Sequence, residues 1–292
     1  MTIFDAITER IERAEALDAP AGFARDTVSK VLTNHRVKDA LHGVWLGHAL
    51  HPALAQLALG SFTSASLLDG LRAGRRESSA LIVTGLLSTL PTVASGWADY
   101  ADAHEEQQRV GVIHAATNGT AVALFVTALV QRSRGGDGRL ASVLGGTVAG
   151  VGAWLGGHLA YRRSLGPNQG EPVPHIGPGD WQSLGPLLDL PDGSAVQRQA
   201  GAVDVLVVRR GDEVSVLSDR CPHLSAPLHE GELDCQGASA QITCPWHGSV
   251  FRVEDGSVVH GPATAPVPGF EVRVLEGIVE ARVRTYPGVP AS

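Results

Sequence analysis

Apolar residues fall into two unlike patterns along this chain. Four stretches, Gly43 to Leu68, Ser78 to Ala98, Val110 to Gln131 and Leu140 to Tyr161, contain no Asp, Glu, Lys or Arg, and each is at least 21 residues long. A helix rising about 1.5 Å per residue needs about 20 residues to cross the hydrocarbon layer, so the pattern predicts four membrane-spanning helices within 43–161. These stretches are rich in Gly, Ala, Ser and Thr, as in "VLGGTVAGVGAWLGG", the composition that lets helices approach closely in lipid. Ahead of them, residues 1–42 place Ile3, Phe4, Ile7, Ile11 and Ala14 at helical spacing, which predicts a polar, amphipathic segment lying on a membrane or on another element.

After the fourth stretch the periodicity stops. "RRSLGPNQGEPVPHIGPGDW" is dominated by Gly and Pro and reads as a linker over 162–180. From 181 to 292 short β-branched runs such as "VDVLVVRR", "EVSVLSD" and "GSVFRVED" alternate with Gly, Asp and Pro, the pattern of a small antiparallel domain. The expected architecture is therefore an α + β multidomain chain, a four-helix transmembrane bundle followed by a small all-β domain.

Charge and cysteine usage narrow the chemistry. The β region carries 14 acidic residues against eight arginines and no lysine, which disfavours nucleic acid as a partner. Three cysteines, Cys221, Cys235 and Cys244, are too few for a secreted disulfide scaffold. The start, "MTIFDAITERIERAEALDAP", alternates acids with bases and lacks an apolar core, so no cleavable signal is expected.

Cys221 and His223 form C-x-H; after twenty intervening residues Cys244 and His247 form C-x-x-H. Two thiolates and two imidazoles from two loops can close a four-ligand site for zinc or for a 2Fe-2S cluster. Zinc modules usually draw like ligands from one turn, whereas here each loop supplies one of each kind. That is what a centre with two cysteines on one iron and two histidines on the other requires.

The surrounding residues carry a resemblance. "RCPHLSAPLHEGEL", "TCPWHGSVF" and "GSVVHGPATAPVPGFEVRV" resemble the Rieske iron-sulfur domain over about 105 residues, Gly185 to Val289. The resemblance implies a 2Fe-2S cluster on Cys221, His223, Cys244 and His247, one-electron transfer, and Trp246, Ser249 and Pro266 around the cluster. Ala226 and Trp246 stand where the respiratory members carry a disulfide-bonded cysteine pair, and Phe251 stands where they have a tyrosine. The resemblance is thus to the ferredoxin-like type, with an intermediate or low potential expected because hydrogen bonds and solvent exposure set it. Cys235 matches no ligand position and reads as a free thiol; His175, His229 and His260 read as solvated. With 45 residues after His247, the catalytic domain of a Rieske oxygenase is not expected.

The membrane half, through "GVWLGHALHPALAQLALGSF", "LPTVASGWADYADAHEEQQRVGVIHAATNG" and "VGAWLGGHLAYRRSLG", resembles an uncharacterised four-helix bacterial membrane domain over His42 to Pro167. In an up-and-down bundle His48, His51, His114 and His158 fall at one side of the membrane. Histidines there are functional candidates, for haem b, a quinone or a metal; plain anchoring among lipid headgroups is the competing reading. The partners expected are a redox protein or a quinone, and membrane lipid, with no nucleic acid. The overall expectation is a multi-pass protein of the cell membrane, its Rieske domain cytoplasmic, acting in electron transport as an oxidoreductase component. The alternatives are a ferredoxin feeding a separate oxygenase or reductase, with the membrane half only an anchor, or a redox sensor.

Overall fold

The structure, a computed structural model, describes residues 2–237 and 239–285; the end of the expected β domain, 286–292, lies outside them. The chain divides into two compact units, one formed by residues up to Val37 together with Ala49–Leu165, the other by Lys38–His48 together with the chain from Gly166 onward.

The first unit is helical. Two short helices, α1 (Ile3–Glu12) and α2 (Asp18–Val31), precede four long ones, α4 (Leu50–Gly70), α5 (Arg75–Ala101), α6 (Glu105–Ser133) and α7 (Arg139–Gly157), with a further turn from His158 to Arg162; α3 (His35–His42) lies between α2 and α4. Helix α4 packs against α5 and α7, and α7 against α6. Glycine sets how close they come. The Phe62 and Phe125 rings stack with centroids 4.2 Å apart, and a Cβ on Gly85 would sit 2.5 Å from Phe62 and one on Gly145 3.1 Å from Phe125. The pattern is inside-out relative to a water-soluble bundle: Ser61, Ser78, Ser95 and Ser142 are buried while Leu87, Leu90 and Leu140 are exposed. Such an arrangement suits helices whose outer face meets lipid.

Three helices among the described residues, α5, α6 and α7 with its continuation to Arg162, are long and apolar enough to cross a membrane. The expected fourth, over Gly43 to Leu68, forms the shorter helix α4 and is not among these three. Gly43 and Gly47 take left-handed conformations, φ +89° and +78°, so the helix starts only at Leu50. What remains carries Gln56 and several hydroxyl residues and ends beside the buried acid Asp69.

Helix α1 buries Thr8 and Glu12, leaving Ile3, Phe4 and Ile7 exposed. Glu12 accepts hydrogen bonds from Arg163 and, at 2.7 Å, from His158. Burial works to raise the Glu12 pKa, but these partners outweigh it and hold the carboxyl below its ordinary range.

Among the described residues the second unit is a β domain of ten strands in three antiparallel sheets. One has the order β1 (Gln182–Pro186), β10 (Ile278–Val283), β9 (Phe270–Leu275); the second runs β2 (Ala195–Ala200), β3 (Val203–Arg210), β4 (Glu213–Ser218); the third is β5 (Glu232–Asp234), β6 (Gln241–Thr243), β7 (Val250–Arg252), β8 (Val258–His260). Strand β3 is buried on both faces, since side chains alternate along a strand: Val203, Val205 and Val207 enter one core with Phe270 and Val279, while Leu206 and Val208 enter the other with Phe251 and Ile242. The second of these cores contains Cys221 and Cys244. The stretch expected as a linker is structured in its second half, where Val173 of α8 (Val173–Ile176) is buried in the first core.

Candidate metal centre

The two predicted cysteine and histidine loops come together. The first joins β4 to β5 and the second joins β6 to β7, and the rings of His223 and His247 lie with centroids 5.0 Å apart, edge to face. Both loops fold alike. The N–H of Cys221 donates to the carbonyl of Ala226 at 2.9 Å, and the N–H of Cys244 to that of Ser249 at 2.8 Å. At the fifth position of each loop the backbone is left-handed, at Ser225 (φ +69°) and Gly248 (φ +73°). Histidine occupies the third position of one loop and the fourth of the other, so two matching backbones present imidazoles from different places.

Each sulfur rests in its own loop's amides. Cys221 accepts from the N–H groups of His223 and Leu224, and Cys244 from those of Trp246 and His247. The thiols also bond each other, and as the donor Cys221 is pushed up while its hydrogen bond pulls Cys244 down to about 7. Thiolates are what iron requires. Two buried sulfurs beside two imidazoles, with no disulfide among the three cysteines, are a donor set that fits a 2Fe-2S cluster with mixed ligation.

Surrounding groups fix the loops. Asp219, buried at the start of the first loop, accepts from the His229 N–H at 2.7 Å and bonds His229 Nδ1 at 2.6 Å, with Gln197 Nε2 at 3.2 Å. The Leu228 N–H closes on the Asp219 carbonyl at 2.8 Å. The buried Ser249 hydroxyl accepts from the Ala263 N–H at 2.9 Å, which ties the second loop to the third and leaves the hydroxyl's own proton to donate. Asp39, far upstream in sequence, accepts from the Gly261 N–H at 2.9 Å and bonds His260 Nδ1 at 2.9 Å. Thus His229 and His260, expected to be solvated, are partners of Asp219 and Asp39; His175 stays half exposed beside Glu171. Trp246 is half exposed next to His247, and Pro266 lies exposed in the third loop. Sequence gave no mark to Asp219, which resembles any turn aspartate, or to Asp39, whose partners are more than 200 residues away.

The membrane-half histidines separate. The His51 and His114 rings come within 6.4 Å, centroid to centroid. His158 is engaged by Glu12, and His48 belongs with the segment Lys38–His48 of the other unit.

With this geometry in view, known proteins fall into place. The family described as "Rieske [2Fe-2S] domain" matches residues 180–276, and "Predicted membrane protein (DUF2231)" matches 47–169. The anthranilate 1,2-dioxygenase ferredoxin subunit of Burkholderia cepacia is 30% identical over 104 residues, 36% of this chain and 93% of that protein. Ferredoxin CarAc of Metapseudomonas resinovorans is 36% identical over 100 residues, 34% of this chain and 90% of that protein. Among solved structures, the ferredoxin of carbazole 1,9a-dioxygenase from Nocardioides aromaticivorans IC177 is 27% identical, covering 36% of this chain and 98% of its own, with a TM-score of 0.34. Two loops that each deliver one buried cysteine and one histidine, in a β domain that spans nearly the whole of two ferredoxins, lead to one conclusion: through its C-terminal unit this chain belongs to the Rieske [2Fe-2S] family, carried beside a membrane domain.

Proposed function

We propose that this protein is a membrane-tethered Rieske ferredoxin that passes single electrons between a membrane donor and a soluble oxygenase or reductase. The observation that carries the reading is the meeting of Cys221, His223, Cys244 and His247 at the tips of two loops of matching backbone. These four residues would hold the cluster, which supplies a one-electron couple when bound. The ferredoxin relatives belong to dioxygenase systems, which favours a soluble oxidoreductase as the partner. We place the helical half as a multi-pass anchor in the cell membrane, with the Rieske unit on the cytoplasmic side, where thiols remain reduced.

For the membrane donor we favour haem b over a quinone, because the His51 and His114 rings, each with Nδ1 against a carbonyl, lie with centroids 6.4 Å apart, a spacing that suits two ligands of one metal. Full-length protein purified anaerobically from membranes should show visible absorption that bleaches on one-electron reduction and an electron paramagnetic resonance signal in the reduced form. Both should vanish in Cys221→Ser. Protein that binds zinc in place of iron, with no such signal, would overturn the proposal.

A further inference from the structure

Two part-buried histidines of the helical unit, His51 and His114, each hold one ring nitrogen against a backbone carbonyl. His51 on α4 places Nδ1 2.9 Å from the carbonyl oxygen of Thr92 on α5, and His114 on α6 places Nδ1 2.8 Å from that of Gly152 on α7. A carbonyl only accepts, so Nδ1 carries the proton on both rings and Nε2 keeps its lone pair. Imidazoles that ligate metals are oriented in this way, the other ring nitrogen donating to a backbone carbonyl. The Asn118 amide nitrogen lies against the His114 ring, 3.1 Å from Nε2 and 3.4 Å from Nδ1.

The helices are shaped around these side chains. A Cβ on Gly96 would lie 2.7 Å from the His51 ring, one on Gly156 3.1 Å from the His114 ring, and one on Gly152 2.2 Å from the Asn118 oxygen. Glycine at these three positions gives the polar groups their room. The centroid separation of 6.4 Å suits one metal held on opposite sides by two imidazoles: with a metal–nitrogen distance of about 2.0–2.1 Å on each side the ring centres fall about 6 Å apart, against about 5 Å for a tetrahedral site.

Among the described residues no third His, Cys, Asp or Glu joins the His51 and His114 pair. A bare ion would therefore be under-ligated, whereas a haem brings four nitrogens and needs two axial ligands.

We propose that His51 and His114 are the axial ligands of a b-type haem in the helical unit. This deepens the reading of the helical half as the membrane-side redox partner. The test uses full-length protein purified from cells supplied with haemin, and compares wild type with His51→Gly, His114→Gly and the exposed-site control His175→Ala. Expected are a Soret band and about one haem per chain, counted as the pyridine haemochrome, in wild type and His175→Ala, and at least a tenfold loss in each axial variant. Added imidazole should restore the band in His51→Gly and His114→Gly, which distinguishes a missing ligand from a misfolded bundle.

The electron paramagnetic resonance signal of the cluster, read on the same samples, should be unchanged in every variant. Its absence from wild type would count against the Rieske reading and leave the Soret result to judge the haem site alone. Wild-type protein with intact cluster and no haem would overturn the proposal, as would haem retained in both axial variants. A bare metal ion lost on both substitutions would overturn the haem assignment.

Discussion

Removing the Asp219 carboxylate tests whether the first cluster loop is held by its clamp. In Asp219→Ala the His229 N–H, His229 Nδ1 and Gln197 Nε2 lose their common acceptor. A hydrogen bond to a charged group contributes about 1.5–3 kcal/mol, and breaking a buried pair costs about 3–5 kcal/mol. Because His229 is about a quarter exposed, the lower end, about 3 kcal/mol, is the expected loss. At about 4–8 °C per kcal/mol for a domain of this size, the midpoint for thermal loss of the cluster's visible absorption should fall by about 12–24 °C. Asp219→Asn keeps one acceptor oxygen and should fall roughly half as far. His229→Ala combined with Asp219→Ala should cost clearly less than the two single losses added together, since they share one interaction. If Asp219→Ala shifted the midpoint by less than about 4 °C with full cluster content, the clamp would not be holding the loop.

Three further outcomes follow from the same geometry. Ser249→Ala removes the hydroxyl whose oxygen accepts from Ala263; loss of a donor to the cluster worth about 1.5–3 kcal/mol should lower the midpoint potential by about 60–130 mV in a potentiometric titration. Gly248→Ala places a Cβ at φ +73°, where no neighbouring atom obstructs it, so the cost is conformational, about 1–2 kcal/mol, read as a lower midpoint in urea. Glu12 has a depressed pKa in the folded protein, so it contributes stability above the ordinary glutamate value, and this is lost as pH falls through the folded value. The thermal stability of the helical unit should therefore fall below about pH 4.5, a dependence that Glu12→Gln should flatten.

How much the sequence revealed depended on the range of the interaction. The four cluster ligands were legible because their spacing within each loop is local and each loop supplies one ligand of each type. The helices were legible from their uncharged runs, but the start of α4 was not. Gly43 and Gly47 are apolar by composition, and only their left-handed backbone ends the helix there. Pairings across long separations left no mark. Glu12 meets His158 on the far side of the helical unit's sequence, and Asp39 joins the β unit through Gly261, so the boundary between the units crosses a segment that reads as one polar lead. His51 and His114 could be nominated from sequence as polar groups in apolar runs, yet their selection over His48 and His158 rests on ring spacing and carbonyl partners.

The central claim is a two-iron cluster with two thiolates and two imidazoles. Pulsed electron paramagnetic resonance on reduced full-length protein, with iron and sulfide counted on the same sample, tests it most directly. Expected are two irons and two sulfides per Rieske unit and couplings from two imidazole nitrogens, one lost in His223→Cys and the other in His247→Cys. A cluster without nitrogen coupling, or a single zinc per chain, would contradict it.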